Sequence, residues 1–189
     1  MNTDQRQSAI QEARALIDSE PVYLDTETTG MHLTAEVIEI SVIDDQTRVL
    51  FDSLVKPRGK IDPAAGRVHG ITAEMLESES PWEIVWPLAE VMMMGRMIGV
   101  YNVEFDVRLI KQSHKRSWLR WTLPDENFFD IMKLYARFYG DWDPYHRSFR
   151  YQSLEHAGRQ CGILLPNAHR ALDDCLLVRE LLHHIAESE

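Results

Sequence analysis

The order of apolar and polar positions predicts an α/β chain in which the strands come first. Apolar residues recur at helical spacing over about residues 7–19, which predicts an N-terminal helix. Three apolar runs separated by short loops then predict an antiparallel meander. The predicted strands are Val22–Thr26, Val37–Ile43 and Arg48–Val55.

The rest of the chain alternates helical and strand patterns. Ser80 suits an N-cap and Pro81 the first helical position, so we expect a helix from there to about Met94. Met97–Tyr101 fits a central buried strand. The other predicted elements are a short helix from Thr72, a helix over Val103–Ser113, a weak strand near Asn127–Phe129, helices over Asp130–Tyr139 and Gln152–Cys161, a loop over Gly140–Arg150, and a last helix from His169 or Arg170 to Ala186. This order predicts a mixed sheet covered by helices.

Length and composition narrow the class of protein. A chain of 189 residues suits one domain over residues 1–189, with a core of about 21–186. The net charge of −10 argues against bulk electrostatic binding of nucleic acid, but permits an enzyme that contacts a few phosphates through metal ions. We find no signal peptide and no apolar run of the roughly 20 residues that span a membrane. Cys161 and Cys175 form neither a disulfide framework nor a zinc pattern, so a cytoplasmic location is expected.

The first candidate chemistry lies at the end of the first predicted strand. Asp25 and Glu27 are two residues apart, so both carboxylates point to the same face of a strand. Two like charges side by side destabilise the fold unless a cation lies between them, and Mg²⁺ or Mn²⁺ prefers such oxygen ligands. The alternative is a solvated strand end followed by a Thr-Gly turn.

Asp106 is the second candidate. It lies one turn into the predicted helix that Asn102 caps, and it is expected to face the sheet beside Leu109 and Ile110. A carboxylate among apolar neighbours needs a partner. The alternative is an aspartate that complements the helix dipole.

The third candidate segment contains His169 and Asp174. Five residues on a helix rotate by about 140°, so these two side chains cannot share one helix face. His169 is therefore expected on a loop, which Pro166 and Asn167 support, with Asp174 just inside the helix. A histidine on a loop suits a general base that approaches a water. The alternative is an ordinary acidic helix start, in which Asp173 is the competing carboxylate.

Together these segments supply four carboxylates and one histidine on separate elements. Such a set suits two metal ions about 4 Å apart that clamp a scissile phosphate. One ion would activate a water and the other would stabilise the leaving oxygen, while His169 takes the proton from the water.

The ordered motifs resemble those of the DEDDh-type, DnaQ-like 3′–5′ exonuclease superfamily, which includes the proofreading subunit of bacterial DNA polymerase III. The matching segments are Asp25–Gly30 (DTETTG), Val68–Thr72 (VHGIT), Asn102-x-x-Phe105-Asp106, Ser153–Glu155 (SLE) and His169–Asp174 (HRALDD). The resemblance spans about residues 22–182. It implies a ribonuclease H-like, mixed five-stranded sheet with helices on both faces.

The resemblance also implies an activity and a set of roles. The activity is hydrolysis from a free 3′ end, which releases nucleoside 5′-monophosphates. Single-stranded DNA is the expected substrate, but the sequence separates neither DNA from RNA nor a single strand from a duplex. Two Mg²⁺ or Mn²⁺ ions would bind Asp25, Glu27, Asp106 and Asp174, and His169 would be the general base. The implied substrate contacts are Thr28, Thr29, Gly30, Met31, His69, Asn102 and Phe105. Core packing is an equal alternative for Phe105, and a structural hydrogen bond is an equal alternative for His69.

Two departures from the family pattern concern substrate contacts. Tyr101 stands where many relatives have histidine, and Ala64 stands where proofreading relatives often have glutamate. Neither departure removes a metal ligand or the base. Many relatives form dimers, which makes a homodimer a further expectation, although no stripe in the sequence identifies an interface.

Two segments could contact a nucleic-acid strand. One runs from Arg108 to Trp121 and contains five basic residues, two tryptophans and no acid. The other is Tyr145–Arg150 in the longest predicted loop. Basic side chains interleaved with aromatic rings are typical of single-strand binding, whereas the alternative is a solvated helix end with packing tryptophans.

Three functions remain open at this stage. The first is the active exonuclease. The second is an inactive nucleic-acid or polymerase-binding module on the same fold, which loss of a carboxylate or of the base would indicate. The third is a hydrolase of small phosphoesters, which a preference for mononucleotide phosphates would indicate.

Overall fold

The protein contains a five-stranded mixed sheet with helices on both faces, which confirms the predicted class. The computed structural model describes residues 3–164 and 169–189. The sheet has the order β3-β2-β1-β4-β5. The strands are β1 (Val22–Thr28), β2 (Val37–Asp44), β3 (Val49–Leu54), β4 (Ile98–Val100) and β5 (Phe128–Asp130). β2 pairs antiparallel with β1 and β3, whereas β4 pairs parallel with β1 and β5.

Eight helices are described around this sheet. They are α1 (Thr3–Asp18), α2 (Pro63–His69), α3 (Ala73–Leu76), α4 (Trp82–Met93), α5 (Val103–Arg116), α6 (Ile131–Tyr139), α7 (Leu154–Gln160) and α8 (Ala171–Glu187). Helices α1, α6, α7 and α8 share one apolar core with Tyr23 of β1. Helices α4 and α5 cover the other face and share a second core with Val22 and Leu24. None of the described helices is long and apolar enough to cross a membrane.

The alternation of side chains along β1 decides which helix each residue faces. Tyr23 packs with the α8 core, whereas Val22 and Leu24 pack with the α4 and α5 core. Because side chains alternate along a strand, Asp25 lies on the α8 side and Thr26 on the α5 side. The central position of β1 therefore places acidic residues between two helices.

A close approach of side chains requires a glycine in the central strand β4. A Cβ added at Gly99 would lie 2.7 Å from Cζ of Phe129 and 3.1 Å from Cδ1 of Ile131. A larger residue would push α6 and β5 away from the sheet. The short strand β4 thus depends on Gly99 to pack beside β5.

The predicted elements differ from the structure in four places. Helix α2 was not predicted, although Asp62 caps it and Pro63 opens it. Ser80 is not the cap of α4, since Pro81 holds that position and Trp82 begins the helix. Strand β1 continues through Glu27 to Thr28. The predicted loop Gly140–Arg150 contains a small hairpin, formed by β6 (Trp142–Asp143) and β7 (Ser148–Phe149).

Candidate active site

Three carboxylates meet where β1 passes beneath the start of α8. Asp25 and Glu27 extend from β1, and Asp174 lies in the first turn of α8. One oxygen from each of the three lies within 4.8 Å of the other two. Asp174 is buried, and its Oδ1 has no hydrogen-bond partner among the described residues. The cluster therefore brings together acids that are 149 positions apart at most in the sequence.

Asp106 approaches from the opposite helix and is held by β1. It lies one turn into α5, which Asn102 caps by accepting a hydrogen bond from the Phe105 backbone N–H. The Thr26 hydroxyl donates to Asp106 Oδ1 at 2.8 Å. Because Asp106 is buried and its charge raises the pKa of Asp25, it belongs to the same acidic centre. The structure thus places the predicted fourth carboxylate beside the other three.

Burial and mutual repulsion make these groups reluctant to ionise. Burial, followed by the charges of Asp106 and Asp174, holds the pKa of Asp25 well above its ordinary value. Burial and the charge of Asp174 raise the pKa of Glu27 to about 8. Burial raises the pKa of Asp106 to about 7 and that of Asp174 to about 6. Such shifts are typical of functional sites, since a folded chain gains nothing by burying unpaired acids.

His169 lies directly before α8, at the place the sequence predicts. Its φ of 48° is left-handed, which is uncommon for a residue other than glycine. Its charge lowers the pKa of Asp174, so the imidazole lies close to that carboxylate. The supporting loop residues Pro166 and Asn167 lie outside the described part of the chain. A partly exposed histidine beside the acidic cluster can accept a proton from a water there.

Glu39 fixes the start of α8 and was missed in the sequence. It lies opposite Glu27 in the β1–β2 pairing and is buried. Its carboxylate accepts hydrogen bonds from Arg170 Nε and the Ala171 N–H, each at 3.0 Å. Because Arg170 is the N-cap of α8 and has no capping side chain of its own, Glu39 caps this helix from the sheet. The antiparallel meander and the two-residue alternation of β2 could have indicated this position.

A pocket of about 250 Å³ opens beside Glu27. Predicted contacts lie in its wall, together with residues of the unpredicted helix α2. The predicted members are Thr28, Gly30, Met31, His69 and Phe105, and the unpredicted ones are Asp62, Ala64, Ala65 and Val68. Met31 is 77% exposed, so it stands free at the rim. The Asp62-Pro63 pair, an N-cap followed by proline, is the signal that could have revealed α2.

Two of the predicted substrate contacts do not line the described pocket. Their side chains form hydrogen bonds that stabilise the fold. Thr29 is buried, and its hydroxyl accepts a hydrogen bond from the Glu36 N–H at 3.0 Å. Asn102 caps α5. His69 combines both alternatives, because it lines the pocket and its Nδ1 accepts from the Ile71 N–H at 3.0 Å.

The two departures from the family pattern have different consequences. Tyr101 is buried and donates to the Gln152 carbonyl at 2.9 Å, which joins the end of β4 to the start of α7. Ala64 lines the pocket, where its methyl group offers no hydrogen bond. The pocket wall is therefore less polar at Ala64 than a glutamate would make it.

The carboxylates of the acidic centre suit hard divalent cations. All of its candidate ligand atoms are carboxylate oxygens, which suit Mg²⁺ or Mn²⁺ better than zinc or copper. The raised pKa values of the four acids and the unpartnered Asp174 Oδ1 both indicate missing positive charge. A cation at this position would satisfy the oxygen and favour the ionised acids.

Comparison with known proteins gives a consistent family. Residues 22–182 match the RNase_T family model, described as an exonuclease. An uncharacterized exonuclease, CP81 of Escherichia phage 186, is 29% identical over 94% of this chain and 93% of its own. The DNA polymerase III epsilon subunit of Pasteurella multocida is 32% identical, over 50% of this chain and 42% of its own. PolC-type DNA polymerase III of Thermotoga maritima matches 90% of this chain, which corresponds to 12% of that protein.

Two solved exonuclease structures have the same fold. Exonuclease X, in complex with a 5′-overhanging duplex DNA, is 25% identical with a TM-score of 0.65, over 87% of this chain and 89% of that one. The nuclease domain of 3′hExo, a DEDDh family member bound to rAMP, is 16% identical with a TM-score of 0.68 and shows the fold alone. The family match covers all four acids and His169, and on this evidence the chain belongs to the RNase_T family as a DnaQ-like exonuclease.

Proposed function

We propose that this exonuclease degrades DNA from its 3′ end and releases nucleoside 5′-monophosphates. The observation that carries the proposal is the cluster of Asp25, Glu27 and Asp174 within 4.8 Å, beside a pocket large enough for part of a nucleotide. Asp106 and His169 complete the set. Its four carboxylates would hold two Mg²⁺ or Mn²⁺ ions. When bound, such ions supply positive charge to the scissile phosphate and to the leaving oxygen.

The residues of the chain have separate tasks in the reaction. The pocket beside Glu27 receives the terminal nucleoside, with Phe105 and Met31 against its apolar surface. His169 accepts a proton as the water oxygen attacks the phosphorus. The bond between phosphorus and O3′ of the preceding nucleotide breaks, and that O3′ takes a proton from solvent. The products are a nucleoside 5′-monophosphate and a strand shortened by one nucleotide.

Single-stranded DNA is the proposed substrate. The pocket is narrow and mostly apolar, which suits one unpaired nucleoside better than a base pair. The exonuclease X structure contains a 5′-overhanging duplex DNA, so it supports DNA as the substrate and not the choice of a single strand. Ala64 leaves no hydrogen-bonding side chain at its place in the wall, so nothing there would select for a ribose 2′-hydroxyl.

The test is digestion of matched single-stranded DNA and RNA oligonucleotides that carry a 5′ label. We expect a ladder that shortens from the 3′ end in Mg²⁺ or Mn²⁺, with DNA degraded faster than RNA. The ladder should disappear with EDTA and in an Asp174→Asn variant whose fold is intact by circular dichroism. No cleavage of either strand by the folded wild-type protein would refute the proposal in favour of a binding module. Faster hydrolysis of mononucleotide phosphates than of oligonucleotides would indicate a small-phosphoester hydrolase.

We also propose that the protein forms a homodimer through α4. Ile84, Leu88 and Val91 recur at helical spacing on this helix, and each is more than half exposed. Exposed apolar stripes of this kind mark interaction surfaces. Light scattering should give twice the monomer mass for the wild type and the monomer mass for Leu88→Glu. A monomeric wild-type protein at micromolar concentration would contradict the dimer.

A further inference from the structure

A groove of about 560 Å³ follows the outer face of α5, away from the acidic centre. Arg108, Lys111 and Lys115 line it at a spacing of three and four residues, so they share one face of the helix. Apolar side chains form the floor of the groove, and they are Val103, Val107 and Phe128. We call this surface the α5 groove. Glu104 and Asp125 line the same groove and pair with Lys133 and Lys111, so Arg108 and Lys115 are its cations without an ion pair among the described residues.

The α5 groove joins the nucleotide pocket through Phe105 and Arg108. Phe105 lines the pocket beside Glu27, and Arg108 lines the groove. The Arg108 guanidinium lies 5.4 Å from the centre of the Phe105 ring. A strand whose last nucleoside occupies the pocket therefore meets the first cation of the groove directly.

An exposed tryptophan lies just beyond the C-terminal end of α5, three residues after Lys115 of the groove. Trp118 follows α5 by two residues and is 91% exposed. Its φ of 57° is left-handed, a conformation that costs a residue with a side chain about 1 kcal/mol or more. Among the described residues, no side chain forms an ion pair, hydrogen bond or ring contact with Trp118 or Lys115. A large ring held open to water next to a free cation is the arrangement that stacks a base and binds a phosphate.

Other members of the basic segment serve the fold. Trp121 stacks between Trp86 and Phe128, with ring centres 5.8 Å from each. Arg116 pairs with Glu36 at 3.3 Å. The structure therefore divides the segment that the sequence offered as one patch. Arg108, Lys111 and Lys115 line the α5 groove, whereas Arg120 is exposed outside it.

We propose that single-stranded nucleic acid upstream of the cleaved nucleotide lies along the α5 groove. Its phosphates contact Arg108, Lys111 and Lys115, and one base stacks on Trp118. This proposal rests on the proposed exonuclease function and extends it to the nucleotides that are not cleaved. Lys111 also pairs with Asp125 at 2.8 Å, so Lys115 carries the larger share of phosphate binding.

The hairpin of β6 and β7 is the competing surface. His146 and Arg150 pair with Asp143 within it, whereas Arg147 is exposed and forms no ion pair among the described residues. Asp143 accepts hydrogen bonds from the Tyr145 N–H at 2.9 Å and from Arg150 Nε at 3.4 Å, and it pairs with His146. Tyr145 is 87% exposed, which makes it a matched control for Trp118. If the hairpin binds the strand instead, Tyr145→Ala gives the effect that the α5 groove predicts for Trp118→Ala.

The test compares each variant with the wild type on two substrates, one without and one with an upstream strand. The p-nitrophenyl ester of thymidine 5′-monophosphate fills the pocket alone, whereas a 5′-fluorescein oligothymidylate of about twelve nucleotides also reaches the groove. Steady-state kinetics in Mn²⁺ are measured for wild type, Lys115→Gln, Trp118→Ala and Tyr145→Ala. Anisotropy of the oligothymidylate in EDTA, over a range of salt concentrations, gives binding without cleavage.

We expect Trp118→Ala to raise KM and Kd for the oligothymidylate roughly 5- to 150-fold, the range that loss of one stacked base gives. Lys115→Gln should reduce the dependence of log Kd on log salt by about 0.7, the value for one phosphate contact on a single strand. Hydrolysis of the ester should be unchanged in both variants, and Tyr145→Ala should match wild type on both substrates.

Unchanged KM and Kd for the oligothymidylate in both variants would overturn the proposal. So would an equal loss on the ester, because the substitutions would then act through the pocket or the fold. If the wild type cleaved neither substrate, the exonuclease function would fail, but weaker anisotropy binding by Trp118→Ala and Lys115→Gln would still support the groove. Equal binding by all four proteins would overturn it in that case as well.

Discussion

The Glu27 carboxylate should make the metal-free protein less stable as pH rises, and replacing it should reverse this loss. In the folded protein burial and the charge of Asp174 raise the pKa of Glu27 from 4.5 to about 8. Between these two values the folded chain keeps a proton that the unfolded chain releases. Since the unfolded state then binds fewer protons, the free energy of unfolding falls as pH rises through this range.

The magnitude follows from the same two values. One pH unit between them corresponds to about 1.4 kcal/mol, so Glu27 alone removes roughly 4 kcal/mol of stability between pH 5 and pH 8. Glu27→Gln has nearly the same size and no charge. In EDTA the variant should therefore exceed the wild type in stability by a few kcal/mol at pH 8, and by less than about 1 kcal/mol at pH 5.

Urea unfolding followed by circular dichroism measures this difference. Taking variant minus wild type at each pH cancels the titration of the histidines. Glu39→Gln is the matched control, because Glu39 faces Glu27 but pairs with Arg170 and the start of α8. Its removal should lower stability by about 1–3 kcal/mol at pH 5, where the folded protein keeps Glu27 protonated. The reasoning is refuted if Glu27→Gln is no more stable than wild type at pH 8 in EDTA.

Three further substitutions test separate parts of the site. Thr26→Val removes the hydrogen bond to Asp106, which favours the ionised acid, so the acid limb of the metal-dependent pH–rate profile should move up by about one pH unit. Ala65→Leu fills part of the pocket and should raise KM for oligonucleotides with the thermal unfolding midpoint unchanged, whereas an unchanged KM would place the terminal nucleoside elsewhere. Gly30→Ala should lower both stability and activity, because the φ of Gly30 is 154° and the new Cβ would lie 3.3 Å from Cβ of Asp62. A variant with the melting temperature and turnover of the wild type would show that this turn can shift.

The sequence predicted the acidic residues and His169 of the site better than the wall of its pocket. The shared face of Asp25 and Glu27 could be predicted because side chains alternate between the two faces of a strand. The position of His169 before the helix could be predicted because a helix turns by a fixed angle per residue. Burial of Asp106 against Thr26 also agrees with its expected orientation toward the sheet. The catalytic roles of these groups remain predictions, since position alone does not test chemistry.

The missed features depend on tertiary pairing. Helix α2 has seven residues and a central glycine, so its intrinsic helical tendency is weak and the Asp62-Pro63 start was its one sequence signal. Glu39 gains its task from Arg170, which is 131 residues away in sequence. Trp118 and Trp121 look alike in the sequence, and only the packing of Trp86 and Phe128 separates the partly buried Trp121 from the exposed Trp118.

The most direct test of the proposed reaction is the identity of its first product in ¹⁸O-water. The substrate is a single-stranded oligodeoxynucleotide with a unique base at its 3′ end, and the product is analysed by mass spectrometry at early times in Mg²⁺. We predict that the first product is the 5′-monophosphate of that unique base, with one ¹⁸O atom in its phosphate. A nucleoside 3′-monophosphate, a first product from the 5′ end, or a phosphate without ¹⁸O would contradict the proposed direction and the attack of water on phosphorus.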